Sequence, residues 1–287
     1  MSNKIKMIVC DLDGTLLNNH KVLSSNTVEK MIAYQQKGYL LTLASGRYFK
    51  EVRRFAEELK LDEYHGYAVC GNGYEIVDMA AQTTFHFSGI PSEIARDCIK
   101  LAKKCHLMQY VKINGTYHLS VSKHIMNGIQ KSCHHLNEKG IRQLSYAAHL
   151  LDETIFEKEL IHLIQEDIVK ICVIGTPSNQ KKWIHLLEEK YPDTFAYYPV
   201  NSVSLEITHK SVSKKHAVET IAHENGFTLN EVIAFGDSGN DEPLLLSAGI
   251  GITMKNGTKR ALKRAKIISK YTNHEDGVIA ECEKYLD

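Results

Sequence analysis

Val9-Cys10-Asp11-Leu12-Asp13-Gly14-Thr15-Leu16-Leu17 closes the first apolar run of the chain, which begins at Ile5. Ile5, Met7, Ile8, Val9 and Cys10 are nearly all apolar, as in a strand buried on both faces of a parallel sheet. Alternation along an extended chain puts Asp11 and Asp13 on the same side, and Gly14 lets the chain turn sharply away from them. Open α/β sheets bind ligands at this carboxyl edge. Two carboxylates about 4 Å apart repel each other by roughly 4 kcal/mol at an effective dielectric near 20, so a divalent cation, a shared proton or a lysine must compensate them. Because Asp-x-Asp-Gly also ends ordinary strands, a functional reading needs companions elsewhere in the sequence.

Working outward, residues 16–23 read as two short extended pieces around an Asn18-Asn19 turn. Ser24, Ser25 and Asn26 offer N-caps to a helix running to Lys37, with Val28, Met31 and Ile32 on one face and Gly38 as its stop. A second apolar strand over 39–44 ends in Ser45-Gly46-Arg47 and leads into a helix with Val52, Phe55, Ala56 and Leu59 inward, and a third strand over 67–70 ends at Gly71-Asn72-Gly73. This alternation of strand, turn and helix is that of a parallel sheet.

From about residue 83 the pattern changes. A strand over 83–87 and a helix with Ile94, Cys98, Leu101, Ala102 and Cys105 as its stripe precede the hairpin signal of 108–113, Asn114-Gly115 and 116–122. Helical stretches over 125–138 and 156–165, strands over 168–175, 195–198 and 203–207, and a helix from Pro177 carrying Trp183, Leu186 and Leu187 complete an α+β module. The alternating pattern then resumes: helix 213–225, strand 232–235 ending in Gly236-Asp237-Ser238-Gly239-Asn240-Asp241, helix 244–248, strand 249–254, helix 259–265, strand 266–269 and helix 277–286.

With 287 residues and 43% hydrophobic content the chain can bury the cores of two domains. Its 35 Lys+Arg against 34 Asp+Glu give a net charge of +1, which supplies no general attraction to nucleic acid or to a membrane surface. Seven cysteines without a Cys-x-x-Cys pair read as reduced core residues, and neither a signal peptide nor an apolar run of about 18 residues is visible, so the expectation is a soluble, cytoplasmic protein. The histidines, His134-His135 included, lack metal-ligand spacing, Gly71-Asn72-Gly73 lacks the third glycine of a dinucleotide loop, and residues 237–241 lack the remaining ligands of a calcium loop.

Four strand ends or helix starts offer polar groups: Asp11, Asp13 and Thr15; Ser45; Lys214; and Asp237, Asn240 and Asp241. Their order and context resemble the four motifs of the haloacid dehalogenase superfamily over nearly the whole chain. The long insertion between the second and third motifs, with Met254-Lys255-Asn256-Gly257 and Asn273-His274-Glu275-Asp276-Gly277, is most similar to the Cof-type phosphatases with a large α/β cap.

The resemblance implies that Asp11 attacks phosphorus, that Asp13 protonates the leaving alkoxide and later deprotonates water, and that Mg²⁺ is held by Asp11, the Asp13 carbonyl and Asp237, with Asp241 reaching it directly or through water. Carboxylates, a carbonyl and waters form the hard oxygen set suited to that ion. Thr15, Ser45, Gly46, Lys214 and Asn240 are then the expected phosphate-binding residues, while Arg47 either touches substrate or caps a helix. Four ionised aspartates against Mg²⁺ and Lys214 leave the cluster negative, so without the cation it would repel a phosphate dianion. Three departures from the family pattern stand out: Ser213-Lys214-Lys215 replaces Ser-Lys-Gly, with position favouring Lys214 over Lys215, Ser45 stands where Thr is more frequent, and Gly257 where Ala is common.

The resulting expectation is an α/β protein with a Rossmann-like parallel-sheet core, 1–82 and 208–287, and an inserted α+β cap, 83–207, hinged near 78–84 and 205–210. Its implied activity is Mg²⁺-dependent hydrolysis of small phosphorylated metabolites, such as sugar phosphates or phosphorylated cofactors. A phosphomutase using the same aspartates and a non-catalytic binding regulator are the rival readings. No nucleic acid or membrane partner is expected.

Overall fold

The computed structural model describes residues 4–120, 154–200 and 202–286. In chain order the elements are β1 (Met7–Cys10), α1 (Ser25–Gln36), β2 (Leu40–Ala44), α2 (Phe49–Glu58), β3 (Tyr67–Cys70), β4 (Glu75–Asp78), β5 (Thr83–His86), α3 (Ser92–Lys104), β6 (Met108–Ile113) and β7 (Thr116–Ser120). They continue with β8 (Thr154–Glu157), β9 (Lys170–Ile174), α4 (Pro177–Lys190), β10 (Phe195–Pro199), β11 (Ser204–His209), α5 (Lys214–Glu224), β12 (Val232–Gly236), α6 (Glu242–Ser247), β13 (Ile250–Thr253), α7 (Lys259–Arg264), β14 (Ile267–Ile268) and α8 (Gly277–Leu286). Two compact units divide the chain, Met1–Phe87 with Ser211–Asp287, and Ser88–Lys210.

The first unit is built on a sheet of order β14-β13-β12-β1-β2-β3-β4-β5. It is parallel from β14 through β3, and the β3-β4-β5 turnbacks are antiparallel. The chain leaves β1 toward β2 and β3 and later returns to β12 on the other side, so β1 and β12 flank the point at which strand order reverses, the crevice where open α/β sheets take ligands. Register brings the strand ends level: Cys10 lies opposite both Leu43 and Phe235.

Both faces of β1 are buried, which is why its residues are apolar without alternation. Ile8 and Cys10 point into a core with Met31 of α1, Phe55 of α2 and Ile279 of α8, whereas Met7 and Val9 meet Val218 and Ile221 of α5 and Leu245 of α6. Ser24 caps α1 by accepting from Thr27 N–H, and Lys37 with Gly38 at φ 93° ends it, yet the inward face is Thr27, Met31, Tyr34 and Gln35, with Val28 and Ile32 only partly covered. The expected inward residues of α2 are all buried.

In the second unit the sheet order is β10-β11-β9-β6-β7-β8, antiparallel except for β7 with β8. Helices α3 and α4 bury one face through Cys98, Ile99, Ala102, Trp183 and Leu187 against Val111, Ile171, Val173 and Ile207. Trp183 is fully buried and its indole N–H donates to the Cys98 carbonyl at 3.0 Å, which joins the two helices and satisfies the one polar atom of that ring.

Two expected helices meet a different outcome or none, and one strand was not expected. The helix expected over 156–165 is absent: β-branched and aromatic Thr154, Ile155 and Phe156 pair in parallel with β7, and the chain then crosses to β9 in turns that bury Leu160 and Ile164. Sheet pairing takes Phe156 and Glu157 out of any helix, and residues 158–165 follow in turns. Strand β4, which sequence reading passed over, pairs with β3 through Ile76 opposite Val69. The helix expected over 125–138 lies outside the described residues, as do His134 and His135. Among the described residues no helix is long and apolar enough to cross a membrane.

Candidate active site

Level strand ends place the polar residues together. Asp11 follows β1, Ser45 follows β2, Asn72 follows β3, and Asp237 follows β12, all at the carboxyl edge of the sheet. Lys214 reaches the same place as the first residue of α5, after Ser213, whose side chain accepts from His216 N–H as the cap.

Lys214 is 1% exposed, and its Nζ lies 2.6 Å from Oδ1 of Asp11 and 2.6 Å from Oδ1 of Asp241. Lys215 points elsewhere, pairing with Glu219 at 3.5 Å on the outer side of the helix. Oxygen atoms of Asp11, Asp237 and Asp241 all lie within 4.8 Å of one another. Asp241 is also the organiser of its loop, because its Oδ2 accepts from the backbone N–H groups of Asp237 at 3.1 Å and Ser238 at 3.0 Å. Gly14, at φ 80°, completes the cluster: a Cβ there would sit 2.6 Å from Oδ2 of Asp237, so only glycine allows this turn to press against that acid.

Burial and the neighbouring acids push the carboxyls of Asp11 and Asp237 well above the ordinary range, although Lys214 pulls both down. Burial works against the Lys214 ammonium, but the Asp11 and Asp241 carboxylates outweigh it and raise its pKa. One ammonium against three acids, buried Asp11 and Asp241 and half-buried Asp237, leaves negative charge uncompensated. An all-oxygen cluster that is short of positive charge fits Mg²⁺, so the residues agree with the ion that the family implies.

Asp13 stands apart from that cluster. Arg47 grips it with two prongs, Nε to Oδ2 at 2.6 Å and a terminal nitrogen to Oδ1 at 2.7 Å, and Lys21 Nζ adds a third contact at 2.7 Å. Burial favours its neutral form, but the hydrogen bonds from Arg47 and Lys21 outweigh it and hold the carboxyl below the ordinary range. The expected charge count therefore divides: Lys214 serves Asp11 and Asp241, and Arg47 with Lys21 serves Asp13. Arg47 is a partner of Asp13, which the sequence reading of it as a substrate contact or a helix cap did not foresee.

The expected phosphate-binding residues are at the edge with differing surroundings. Thr15 is 1% exposed with its hydroxyl unpartnered, and Ser45, equally buried, accepts from Arg47 N–H at 3.2 Å. Asn240 donates to the side chain of Asn72 at 2.8 Å. Asn72 was missed by sequence reading: it adopts φ 62°, donates its N–H to the Ser45 carbonyl at 3.0 Å, and accepts from Asn240, linking the second and fourth motifs. Gly73 beside it lies so close to Ser213 that a Cβ would come within 2.3 Å of the carbonyl oxygen. The signal was its position at the end of a third parallel strand. Lys21 was missed as well, and its turn carries no chemical signature.

A crevice at a strand-order reversal, lined by a carboxylate triad, a buried lysine and hydroxyls, defines a phosphoryl-transfer enzyme of α/β architecture. The family model for haloacid dehalogenase-like hydrolases matches residues 8–281, and the chain belongs to that family as an enzyme of its phosphatase type, in keeping with the Cof-type resemblance. A Bacillus subtilis relative, 5-amino-6-(5-phospho-D-ribitylamino)uracil phosphatase YcsE, is 24% identical over 274 residues, covering 96% of this chain and 93% of its own. A haloacid dehalogenase-like hydrolase from Bacteroides thetaiotaomicron superposes with a TM-score of 0.76 at 26% identity, covering 98% of this chain and 99% of that one. The subclass IIB sugar phosphatase BT4131 shares the fold with a TM-score of 0.75 at 19% identity, covering 98% of both chains.

Proposed function

We propose that the protein hydrolyses small phosphomonoesters in two displacements through an aspartyl-phosphate on Asp11. The observation that carries this reading is the Lys214 ammonium, buried and 2.6 Å from Asp11, which holds a carboxylate oxygen in place beside a cationic partner for phosphate oxygens. Asp11 attacks phosphorus through that oxygen, and the P–O bond to the leaving group breaks. Asp13, which must first take up a proton from solvent, gives it to the departing alkoxide, then takes one from the water that attacks the phosphoenzyme and releases inorganic phosphate. Thr15, Ser45, the Gly46 backbone and Asn240 are the proposed oxygen ligands of the transferring group, joined by Lys214 as its charge. For Asp13 to act as an acid, the leaving oxygen must take the place of one of its cations, so Arg47 and Lys21 set how readily it changes state.

Asp11, the Asp13 carbonyl, Asp237 and Asp241 would hold Mg²⁺. Bound there, the ion supplies charge neutralisation that admits a phosphate dianion and orients it. The inserted unit is proposed as the cap that selects the leaving group. Its substrate class is drawn from the relatives: sugar phosphates, by likeness to BT4131, and phosphorylated cofactor precursors, by likeness to YcsE.

Phosphate release across a panel of sugar phosphates, ribitylamino-pyrimidine phosphates and phosphorylated cofactors, with and without Mg²⁺, tests the proposal. Intact-mass detection of a phosphoenzyme after acid quench is expected during turnover. Release without a phosphoenzyme, or full turnover of an Asp11→Asn protein, would overturn it.

A further inference from the structure

We infer that Asn256 is a positioning residue for the acid–base aspartate, acting through the turn that follows Asp13. The inference rests on the phosphatase reading for its kinetic arm only. Asn256 Nδ2 donates to the Gly14 carbonyl at 2.7 Å, and its Oδ1 accepts from Asn273 N–H at 2.9 Å. Asn273, 7% exposed, donates to the Leu17 carbonyl at 2.8 Å and to the Asn19 side chain at 3.2 Å. Two asparagines from the end of the chain thus hold both ends of the turn that leaves the first acid pair.

The need for this support follows from the turn itself. Leu16 N–H bonds the Asp11 carbonyl at 3.1 Å and Leu17 N–H the Leu12 carbonyl at 2.9 Å, and Leu17 bridges back to Asp13. Gly14 lies inside that loop at φ 80°, and glycine has the widest choice of backbone angles of any residue. A donor on its carbonyl fixes the peptide plane between Gly14 and Thr15, and with it the direction of the chain one residue beyond Asp13. The loop carrying Asn256 is anchored on its other side to the fourth motif, since Thr258 N–H donates to the Asp237 carbonyl at 2.8 Å. It is therefore a strap between the turn after Asp13 and the loop of Asp237. Its tightness shows at Gly257, where a Cβ would lie 2.9 Å from the Met254 carbonyl oxygen and 3.1 Å from that of Asp237.

The two bonds of Asn256 are separable by substitution. Asn256→Ala loses both, while Asn256→Asp keeps an acceptor for Asn273 N–H and loses the donor to Gly14. Amide hydrogen exchange over residues 12–19 is the readout independent of turnover, with Lys255→Ala as the control. Faster exchange in Asn256→Ala and Asn256→Asp, but not in Lys255→Ala, is expected. Misplacing a reacting group by an ångström costs about 10²-fold. Both Asn256 variants should accordingly lose about tenfold or more in kcat on an alkyl phosphate, and far less on p-nitrophenyl phosphate, whose leaving group needs little protonation, with KM nearly unchanged.

Unchanged exchange in Asn256→Asp, or equal losses on the two esters, would overturn the inference and leave Asn256 as a support of Asn273 alone. If the wild-type protein releases phosphate from no ester, the phosphatase reading fails, and the exchange measurement still decides whether Asn256 holds the turn.

Discussion

Lys214 Nζ lies 2.6 Å from Oδ1 of Asp11 with its side chain fully enclosed, whereas the neighbouring Lys215 side chain is 37% exposed. Successive helix positions point about 100° apart, so one of two adjacent lysines faces the acids and the other does not. Lys214→Ala is expected to lower kcat/KM by about 10²-fold or more, the cost of removing a preorganised charge from a phosphoryl site. Lys215→Ala should remain within about twofold of wild type, since exposed i,i+4 pairs contribute little. Steady-state kinetics of both variants at one ionic strength check this, and the reverse ranking would displace Lys214 from its role.

Metal removal gives the second expectation. Chelation should abolish phosphate release and Mg²⁺ restore it, with Ca²⁺ a poor substitute because of its longer bonds and higher coordination number. A binding readout accompanies it: the melting temperature of wild type should climb with Mg²⁺ concentration by mass action. Asp237→Asn should abolish that climb without destabilising the metal-free protein, because it removes a half-buried acid whose surroundings and acidic neighbours disfavour its charge. A metal-free melt well below wild type would count against this electrostatic account.

The acid pair divides by chemistry. Asp11→Asn should leave no trace of phosphoenzyme, while Asp13→Asn should slow alkyl phosphates much more than an activated aryl phosphate. Equal losses would mean that Asp13 serves only to hold Arg47 and Lys21 in place.

Asp97, on α3, makes stability pH-dependent within the second unit. Hydrogen bonds from Lys190, Tyr191 and Lys100 hold its carboxyl down at about 2. A folded-state pKa below the unfolded value of about 3.9 adds stability that is complete above roughly pH 5 and is lost as pH falls toward 2. The chain has one tryptophan, Trp183, and its burial against α3 makes its emission a probe of that unit. Urea midpoints read from this emission should converge for wild type and Asp97→Asn as pH is lowered from 5 to 2.5. A gap that stayed constant would remove Asp97 as the titrating group.

The sequence by itself determined the α/β class, the strands that end in Asp11, Ser45 and Asp237, and the helix that starts at Lys214. Each of these is a local signal: an apolar run long enough for one strand, followed by a polar turn, or a serine cap before a helical stripe. The same local logic failed at 156–165, expected as a helix, because pairing with β7 draws Thr154–Glu157 into a sheet and turns follow. It also passed over β4, whose residues become a strand by turning back along β3.

Only the tertiary structure decided how the charges are shared. No spacing in the sequence says that Arg47 forks onto Asp13, that Lys21 joins it from a left-handed turn, or that Asn72 links Ser45 to Asn240. Nor does it say that Asn256, 242 residues downstream of Gly14, holds that carbonyl. Burial patterns repeat along a chain and can be read from it. Hydrogen-bond partners are set by where strands end in register, and that register exists only when β1, β2, β3 and β12 lie side by side.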